Sequence, residues 1–150
     1  MFKTINGGIL PKRFSKYSAS FDVYSNEDKV IGTGCTELIG LGIAIDTEAF
    51  WERCEWYEQH TAHRTYLELR IDDRLVEKGL IAPPKIVNLD CIDEIKMAVH
   101  NPYQNKKTYW KDVWEAINTD YTIKKGDKIG QLILKRHEGY LLPQEYTIQN

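Results

Sequence analysis

The stretch from Ile123 to Leu134 carries the residues of this chain that are best suited to hold an anion. Gly126 and Asp127 predict a tight turn whose backbone N–H groups form an anion-binding concavity, and Lys128 adds a positive charge beside it. Gln131 follows between apolar neighbours, so we expect it to be buried and to need hydrogen-bond partners, because an unmet buried amide costs about 1–3 kcal/mol. Phosphate oxygens and backbone groups across a sheet are the two alternatives for those partners.

The composition and charge of the 150 residues exclude several classes of function. A net charge of -2 and an isoelectric point near 6.1 argue against a general nucleic-acid binder, which carries a basic surface. The cysteines Cys35, Cys54 and Cys91 match neither a zinc knuckle nor a redox CxxC pair, and we expect reduced thiols in a cytoplasmic protein. The longest apolar run, LIGLGIAI, is too short to cross a membrane, so no membrane association is expected.

Short segments of alternating polarity dominate the chain. In TYLELRI, Tyr66 and Glu68 fall on one face of a strand, while the two leucines and the isoleucine fall on the other. Gly, Pro, Asn and Asp separate such segments at short intervals. The pattern predicts one all-β domain over residues 1–150, a sandwich or a barrel.

Two stretches break this pattern and contain all four tryptophans. TEAFWERCEWYEQHTAHR, residues 47–64, and KKTYWKDVWEAINTD, residues 106–120, space their apolar residues as short helices do. Each is predicted to be a helical insertion whose aromatic face covers one end of the barrel. The alternative is a contact with a protein partner through Trp110 and Trp114, because tryptophan is enriched at binding hot spots.

The order of these segments resembles the trimeric dUTPases, the dUTP pyrophosphatase superfamily. The motif Ala19-Ser20-Phe21-Asp22-Val23 is similar to that family's Ala-Gly-Tyr/Phe-Asp-Leu, EDKVIGTG and IGLGIAI follow in step, and GDKIGQL is similar to its Gly-Asp-Arg/Lys-Ile-Ala-Gln-Leu. The resemblance implies a dUTPase-like jelly-roll or β-barrel that assembles as a homotrimer with pockets at the subunit boundaries. It also implies that Asp22, Lys128 and Gln131 face a small nucleotide.

The family's Pro-Arg-Ser-Gly-Leu-Ala motif falls on residues 71–76, where Asp72 and Asp73 replace its phosphate-binding Arg and Ser. Two carboxylates repel a triphosphate, so binding requires compensation from Arg74, from Lys85 or from a Mg²⁺ ion held by the two aspartates. The resemblance therefore makes all four side chains candidate nucleotide-binding residues.

The family's third motif, anchored on the Glu-Ile pair at 94–95, places its catalytic Asp on Asn88 and its sugar-stacking Tyr on Cys91. An amide has no basic site, and loss of a general base costs on the order of 10²–10⁴ in rate. Asp90 is the substitute base if the chain is active. The base-recognising hairpin is shorter than in the family, and the C-terminal stretch EGYLLPQEYTIQN lacks the family's Gly-rich closing arm.

Three functions remain open from the sequence. The first is a nucleotide-binding relative, of a kind common in phages and then active in the host cytoplasm, that sequesters or regulates because hydrolysis is lost or weakened. The second is an active dUTP diphosphatase with a rearranged, Mg²⁺-dependent site built from Asp72, Asp73 and Asp90. The third is a protein-interaction module that uses the tryptophan-bearing insertions. The changes at the base, the phosphate pair and the arm favour the first.

Overall fold

A computed structural model describes residues 1–49, 64–108, 113–117 and 119–142, and these residues form short strands almost throughout. A short helix, α1, and one 3₁₀ turn complete the elements that we describe. The prediction of an all-β fold is confirmed. In chain order the elements are β1 Phe2–Thr4, β2 Ser20–Tyr24, β3 Lys29–Ile31, β4 Thr36–Gly40, β5 Ile43–Ile45, β6 Thr65–Ile71, α1 Asp73–Glu77, β7 Lys85–Asn88, β8 Lys96–His100, β9 Gln104–Thr108, β10 Val113–Ile117, β11 Tyr121–Ile123, β12 Lys128–Arg136 and the 3₁₀ turn Gly139–Leu141.

The largest sheet has four antiparallel strands in the order β2-β12-β6-β7. Four two-stranded antiparallel ladders join β1 with β5, β3 with β11, β4 with β8, and β9 with β10. The nine-residue β12 therefore lies between β2 and β6, and it fixes the register of both. Three segments that lie far apart in the sequence meet at this strand.

The predicted alternation of β6 holds. Leu67 and Leu69 are buried in the core, whereas Tyr66, Glu68 and Arg70 lie on the outer face of the sheet. Burying one leucine or isoleucine side chain contributes roughly 1.5–3 kcal/mol. The most completely buried large side chains of the core are Ile31, Ile39, Leu41, Ile43, Ile45, Leu67, Leu69, Leu80, Ile123, Ile129 and Leu132.

Gly130 allows β12 to approach β6 closely. A Cβ atom at this position would lie 2.5 Å from the carbonyl oxygen of Arg70, so a larger residue would force the two strands apart. The pairing with β2 also shifts here, since Lys128 lies opposite Tyr24 whereas Gly130 lies opposite Val23. Bulges of this kind often re-aim a nearby side chain, and Lys128 lies next to this one.

The second predicted helical insertion is wrong for the residues that the structure describes. Gln104–Thr108 and Val113–Ile117 are antiparallel strands in register, with Val113 opposite Thr108 and Ile117 opposite Gln104. The apolar spacing matches a helix only over a short stretch, and strand pairing outweighs it. This insertion is a β-hairpin.

The first predicted insertion begins as expected, with helical backbone at residues 47–49. The N–H of Ala49 donates to the Asp46 carboxylate at 3.0 Å, the bond that a helix N-cap makes. Residues 50–63, which carry most of this prediction, lie outside the described residues. In the part of the chain that is described, no helix has the length and apolar character needed to span a membrane.

Candidate functional site

The outer face of the four-stranded sheet brings predicted polar residues of three strands into one row. Gln131 on β12 lies directly opposite Asp22 on β2 and Arg70 on β6. Directly opposed residues of antiparallel strands share a face, so these side chains are neighbours. Gln131 is half-buried rather than buried, because it lies on this outer face and not between the sheets. Its amide is therefore accessible to a ligand.

Lys128 lies at the end of this row between two carboxylates. Its Nζ atom is 3.1 Å from Asp22 Oδ1 and 3.6 Å from Asp72 Oδ1. The two aspartate side chains are only 17% and 6% exposed, so these pairs are screened by salt less than surface pairs are. The positive charge of Lys128, which the family resemblance directs at a nucleotide, is thus balanced by two aspartates of the same chain.

Asp72 occupies the N-cap position of α1, yet its side chain does not cap the helix. The residue is buried, and its Oδ2 atom accepts a hydrogen bond from Arg74 Nε at 3.2 Å while Oδ1 faces Lys128. Asp73, the first residue of α1, is exposed and forms no ion pair within the described residues. The two adjacent aspartates therefore have different environments.

This arrangement does not fit the Mg²⁺ site predicted from Asp72 and Asp73. Both oxygens of Asp72 are engaged by cationic side chains. Over the described ranges, no three His, Cys, Asp or Glu side chains lie close enough together to hold a metal ion. A divalent cation here would have to displace the Lys128 ammonium group.

A cavity of about 270 Å³ opens beside these ion pairs, between α1 and the turn that joins β11 to β12. Three cationic residues line it, Arg74, Lys78 and Lys128, together with the acidic Asp72 and Asp127. The rest of its wall is apolar or aromatic. Positive side chains in a cavity of this size suit a small anionic group.

The Gly-Asp turn itself is not the anion-binding concavity that its sequence predicts. Gly126 adopts the left-handed conformation, with φ of 92°, as a tight turn requires. The backbone N–H groups of the turn are all used inside the protein: Lys124 donates to Asp127 Oδ2 at 2.9 Å, Lys125 to Asp28 Oδ1 at 2.9 Å, Gly126 to Ser25 O at 2.8 Å and Asp127 to Lys124 O at 3.0 Å. Ligand contacts from this motif must therefore come from its side chains.

A second group of predicted residues lies along β7 and the turn after it. Lys85 and Asn88 are the first and last residues of the strand, and Asn88 is exposed opposite Tyr66. Asp90 is exposed, whereas Cys91 is half-buried against the core and its N–H donates to the Asn88 carbonyl at 3.0 Å. The amide of Asn88 and the carboxylate of Asp90 therefore face solvent at this end of the sheet. Cys91 provides no aromatic ring on which a sugar could stack.

The two groups lie at opposite ends of the same sheet face. Asn88 is opposite Tyr66, and Asp72 follows six residues after Tyr66 along the chain. At the ordinary rise of a strand, this spacing separates Asn88 from Asp72 by about 20 Å. A single small ligand does not bridge both groups within one protomer.

The start of β7 contributes to a mainly apolar cavity of about 390 Å³. Pro83, Pro84 and Ile86 line it, and Lys85 lies at the same wall with its Nζ 3.5 Å from the Lys96 carbonyl oxygen. Proline has no N–H, so this hairpin cannot offer backbone donors at positions 83 and 84. Lys85 does not join the ion pairs around Lys128.

Sequence reasoning missed an ion-pair network on the same outer face. Arg70 Nη2 is 3.4 Å from Glu68 Oε1, and Lys135 contacts Glu68 Oε2. The hydrogen bond from Lys135 is the main cause that lowers the pKa of Glu68 below its ordinary value near 4.5; partial burial opposes it and the charge of Arg70 supports it. The alternation in TYLELRI already places Glu68 and Arg70 on one face of the strand. Sequence reasoning also missed Lys78, which lines the cavity beside α1, and no sequence pattern indicates it.

The tryptophan prediction is not tested by the structure. Trp110 lies outside the described residues, and Trp114 lies on β10 opposite Lys107, where only the backbone is described. A partner contact through these two residues stays a prediction.

No family model matches the sequence. Curated relatives do match it. The chain is 26% identical over 137 residues to the deoxyuridine 5'-triphosphate nucleotidohydrolase of Debaryomyces hansenii, covering 91% of this chain and 68% of that protein. It is 27% identical over 129 residues to the protein of the same name from Candida glabrata, covering 86% of this chain and 71% of that protein.

Solved dUTPase structures share the fold along the whole chain. The dUTPase of Staphylococcus bacteriophage 80alpha superimposes with a TM-score of 0.71 at 15% identity, over 100% of this chain and 97% of that one. The chain is thus similar in sequence to curated dUTPases and shares the fold of solved ones. The dUTPase of phage phi11 of S. aureus, whose structure shows a species-specific insert, gives a TM-score of 0.68 at 14% identity over 100% of this chain and 94% of that one. The dUTPase of Streptococcus mutans gives 0.62 at 15% identity over 91% and 95%.

The structural likeness to solved dUTPases confirms the fold predicted from the order of the motifs. The two curated relatives are named for the hydrolysis of a nucleotide.

Proposed function

We propose that this chain is a nucleotide-binding dUTPase-superfamily protein in which hydrolysis is lost or strongly weakened. The observation that carries the proposal is Asn88, an exposed amide at the end of β7 where the resemblance places the catalytic Asp. An amide hydrogen-bonds to water or to a ligand but has no site that takes a proton near neutral pH. The protein then binds a nucleotide and releases it unchanged, and it acts by sequestration or regulation.

The complete pocket is proposed to form between copies of the chain in a homotrimer. The row that contains Asp22 and Gln131 and the group at Asn88 are far apart in one protomer, and both lie on the outer face of one sheet. A neighbouring copy that brings its β7 to the row of the first copy unites them. Asp22, Asp72, Asp73, Arg74, Lys128 and Gln131 then come from one copy, and Lys85, Asn88 and Cys91 from the next.

A regulatory role has support from relatives of the same fold. The 80alpha phage dUTPase is described as controlling the transfer of virulence genes by a G protein-like mechanism. We extend a regulatory role to this chain, with a phage as its source and the host cytoplasm as its place of action.

The alternative function is an active dUTP diphosphatase, which converts dUTP and water to dUMP and diphosphate. The two yeast relatives are named for that hydrolysis. In this alternative the exposed Asp90 is the general base in place of Asn88, and a Mg²⁺ ion, if bound, would compensate the charge of the phosphates. The phi11 phage dUTPase is described with a structural Mg(II) ion, whereas Asp72 of this chain is already paired with Lys128 and Arg74.

One experiment separates the two functions. Purified protein is titrated by calorimetry with nucleoside monophosphates, dNTPs, NTPs and cyclic nucleotides in the presence of Mg²⁺, and each mixture is then analysed by ion-exchange chromatography. Tight binding with the nucleotide recovered intact is the result we expect. Release of diphosphate from dUTP at an enzyme-like rate would establish the alternative, and absence of binding across the panel would contradict both.

The proposed assembly has its own measurement. Light scattering coupled to size-exclusion chromatography should give three times the protomer mass of 17.5 kDa. Tight nucleotide binding by a protein that is monomeric in this measurement would exclude a pocket shared between copies.

Replacing Gln131 with Leu should weaken nucleotide binding at least about tenfold, since one amide contact to a charged group is worth roughly 1.5–3 kcal/mol.

A further inference from the structure

The cavity between α1 and the β11–β12 turn contains an anion that belongs to the chain. Asp72 is 4% exposed, and its carboxylate lies between Lys128 and Arg74. An aspartate at an N-cap ordinarily accepts a backbone N–H of the first helical turn, but Asp72 makes no such bond. Its carboxylate is turned toward the cationic side chains of the cavity instead.

The charges around this cavity are balanced. Arg74, Lys78 and Lys128 supply three positive charges, and Asp72 and Asp127 line the cavity with two negative ones. Asp22 adds a third negative charge because it is paired with Lys128 at 3.1 Å. A cavity with no net charge has no electrostatic preference for a highly charged anion.

Lys78 is the cation of the cavity that has no carboxylate of its own. Lys128 is paired twice and Arg74 once, while Lys78 forms no ion pair within the described residues. Asp127 is also engaged, because its Oδ2 accepts the N–H of Lys124 at 2.9 Å. One ammonium group is thus available to an external anion.

We propose that Asp72 is a specificity-determining residue, an internal anion that makes this cavity favour one phosphate group over a polyphosphate chain. The inference rests on the proposed nucleotide-binding function and deepens it, since it names nucleoside monophosphates, ahead of triphosphates, as the ligand class. Lys78 binds the single phosphate. Lys128 and Arg74 form ion pairs with Asp72, so their charges do not bind a second or third phosphate group.

The test measures anion affinity without any nucleoside. Wild-type protein is titrated with inorganic phosphate, pyrophosphate and tripolyphosphate at constant ionic strength, with calorimetry as the readout. We expect the affinity of the wild-type protein for these anions not to rise as the number of phosphate groups increases. In Asp72→Asn, which removes the internal anion, affinity should rise with chain length, and tripolyphosphate should bind at least about tenfold more tightly than to wild type.

A matched control separates a local effect from a general change in charge. Glu77→Gln removes the same charge from an exposed position on the same helix, and it should leave all three affinities within about twofold of wild type. Asp22→Asn, at a strand position on the sheet surface, frees Lys128 from its other partner and should produce a smaller gain in the same direction. If Asp72→Asn does not fold, Asp22→Asn still tests whether freeing Lys128 from a carboxylate increases the affinity for polyphosphates.

The outcomes are distinct from those of the proposed function. Tripolyphosphate binding to wild type tenfold more tightly than phosphate, or no gain in either aspartate variant, would overturn the role of Asp72. Comparison of dUMP with dUTP on wild type then shows whether the preference extends to nucleotides. If neither nucleotide binds while the inorganic series behaves as expected, the proposed function fails and the cavity's charge selection stands.

Discussion

The two ends of one sheet face differ in how their polar groups are satisfied. At the β2–β12–β6 end, Lys128, Asp22, Asp72 and Arg74 form continuous ion pairs within one protomer. At the β7 end, Asn88 and Asp90 are exposed. In the described residues, neither of their side chains has a hydrogen bond or an ion pair.

This difference separates residues that hold the fold from residues that are available to a partner or a ligand. A shielded ion pair is expensive to break, because removing one partner leaves a charge that water does not reach. An exposed amide can be exchanged at little cost to stability. Substitutions at the β7 end are therefore expected to cost little stability, whereas changes near Lys128 must preserve a balance of charge.

The largest expected effect is a gain of hydrolysis on restoring a base at the β7 end. Asn88→Asp should raise the rate of dUTP hydrolysis by about 10²–10⁴, because a carboxylate can take the proton that the amide cannot. Turnover is measured by diphosphate release. Asp90→Asn is the companion variant and should leave the weak wild-type rate unchanged. If wild type is already fast and Asp90→Asn is inactive, the alternative function is correct.

A steric change at the paired end should cost the most stability. Gly130→Ala places a methyl group 2.5 Å from the Arg70 carbonyl oxygen and should destabilise the fold by about 3 kcal/mol. Asn88→Ala, at the exposed end, should change the free energy of unfolding by less than about 0.5 kcal/mol. Urea denaturation followed by fluorescence measures both. Equal losses would remove the contrast between the two ends.

Loss of a charge should separate the ends in the same way with a smaller magnitude. Lys128→Met leaves Asp22 without its ion-pair partner and Asp72 with only Arg74, so we expect a loss of about 2 kcal/mol, reduced by the partial exposure of the lysine. Lys85→Met removes a lysine that only approaches a carbonyl oxygen, and it should cost under about 0.5 kcal/mol. The comparison fails if Lys85→Met is the more damaging variant.

The smallest predicted effect concerns acid stability at Glu68. Its lowered pKa means that the unfolded chain binds the proton more readily, so the stabilisation is present above the ordinary pKa near 4.5 and is lost as pH falls through the lower folded value. Glu68→Gln should therefore flatten the decrease of Tm below about pH 4.5. Glu77→Gln, exposed on α1, should retain the wild-type slope. An unchanged slope in Glu68→Gln would show that the network does not contribute.

Periodicity and motif order predicted the parts of the fold that depend on local sequence. The alternation of β6 gave its buried and outer faces, and the order of the motifs gave the family. The spacing of Trp114 and Ile117 suggested a helix, but strand-favouring Val113 and Thr108 lie in register in a hairpin. A helical period over so few residues is a weak signal beside β-branched and aromatic composition.

The site was predicted in its residues but not in its contacts. The family resemblance assigns Asp72 and Lys128 to phosphate-binding motifs. Their ion pair with each other depends on the pairing of β6 with β12, two strands that lie far apart in the sequence. The turn at Gly126 has the sequence of an anion-binding concavity, but its N–H groups find acceptors in Ser25 and Asp28 on another loop. Such long-range pairings are not encoded in any single motif.

The four-residue β7 forms one margin of its sheet, and its outer side pairs with no strand among the described residues. Exposed margins of this kind invite strand addition and aggregation, and proteins commonly protect them with prolines, charged side chains and short length. Pro83 and Pro84 immediately precede this strand, and Lys85 begins it. An approaching chain would therefore meet this margin through side chains rather than by extending the ladder, so the margin resists open-ended strand addition.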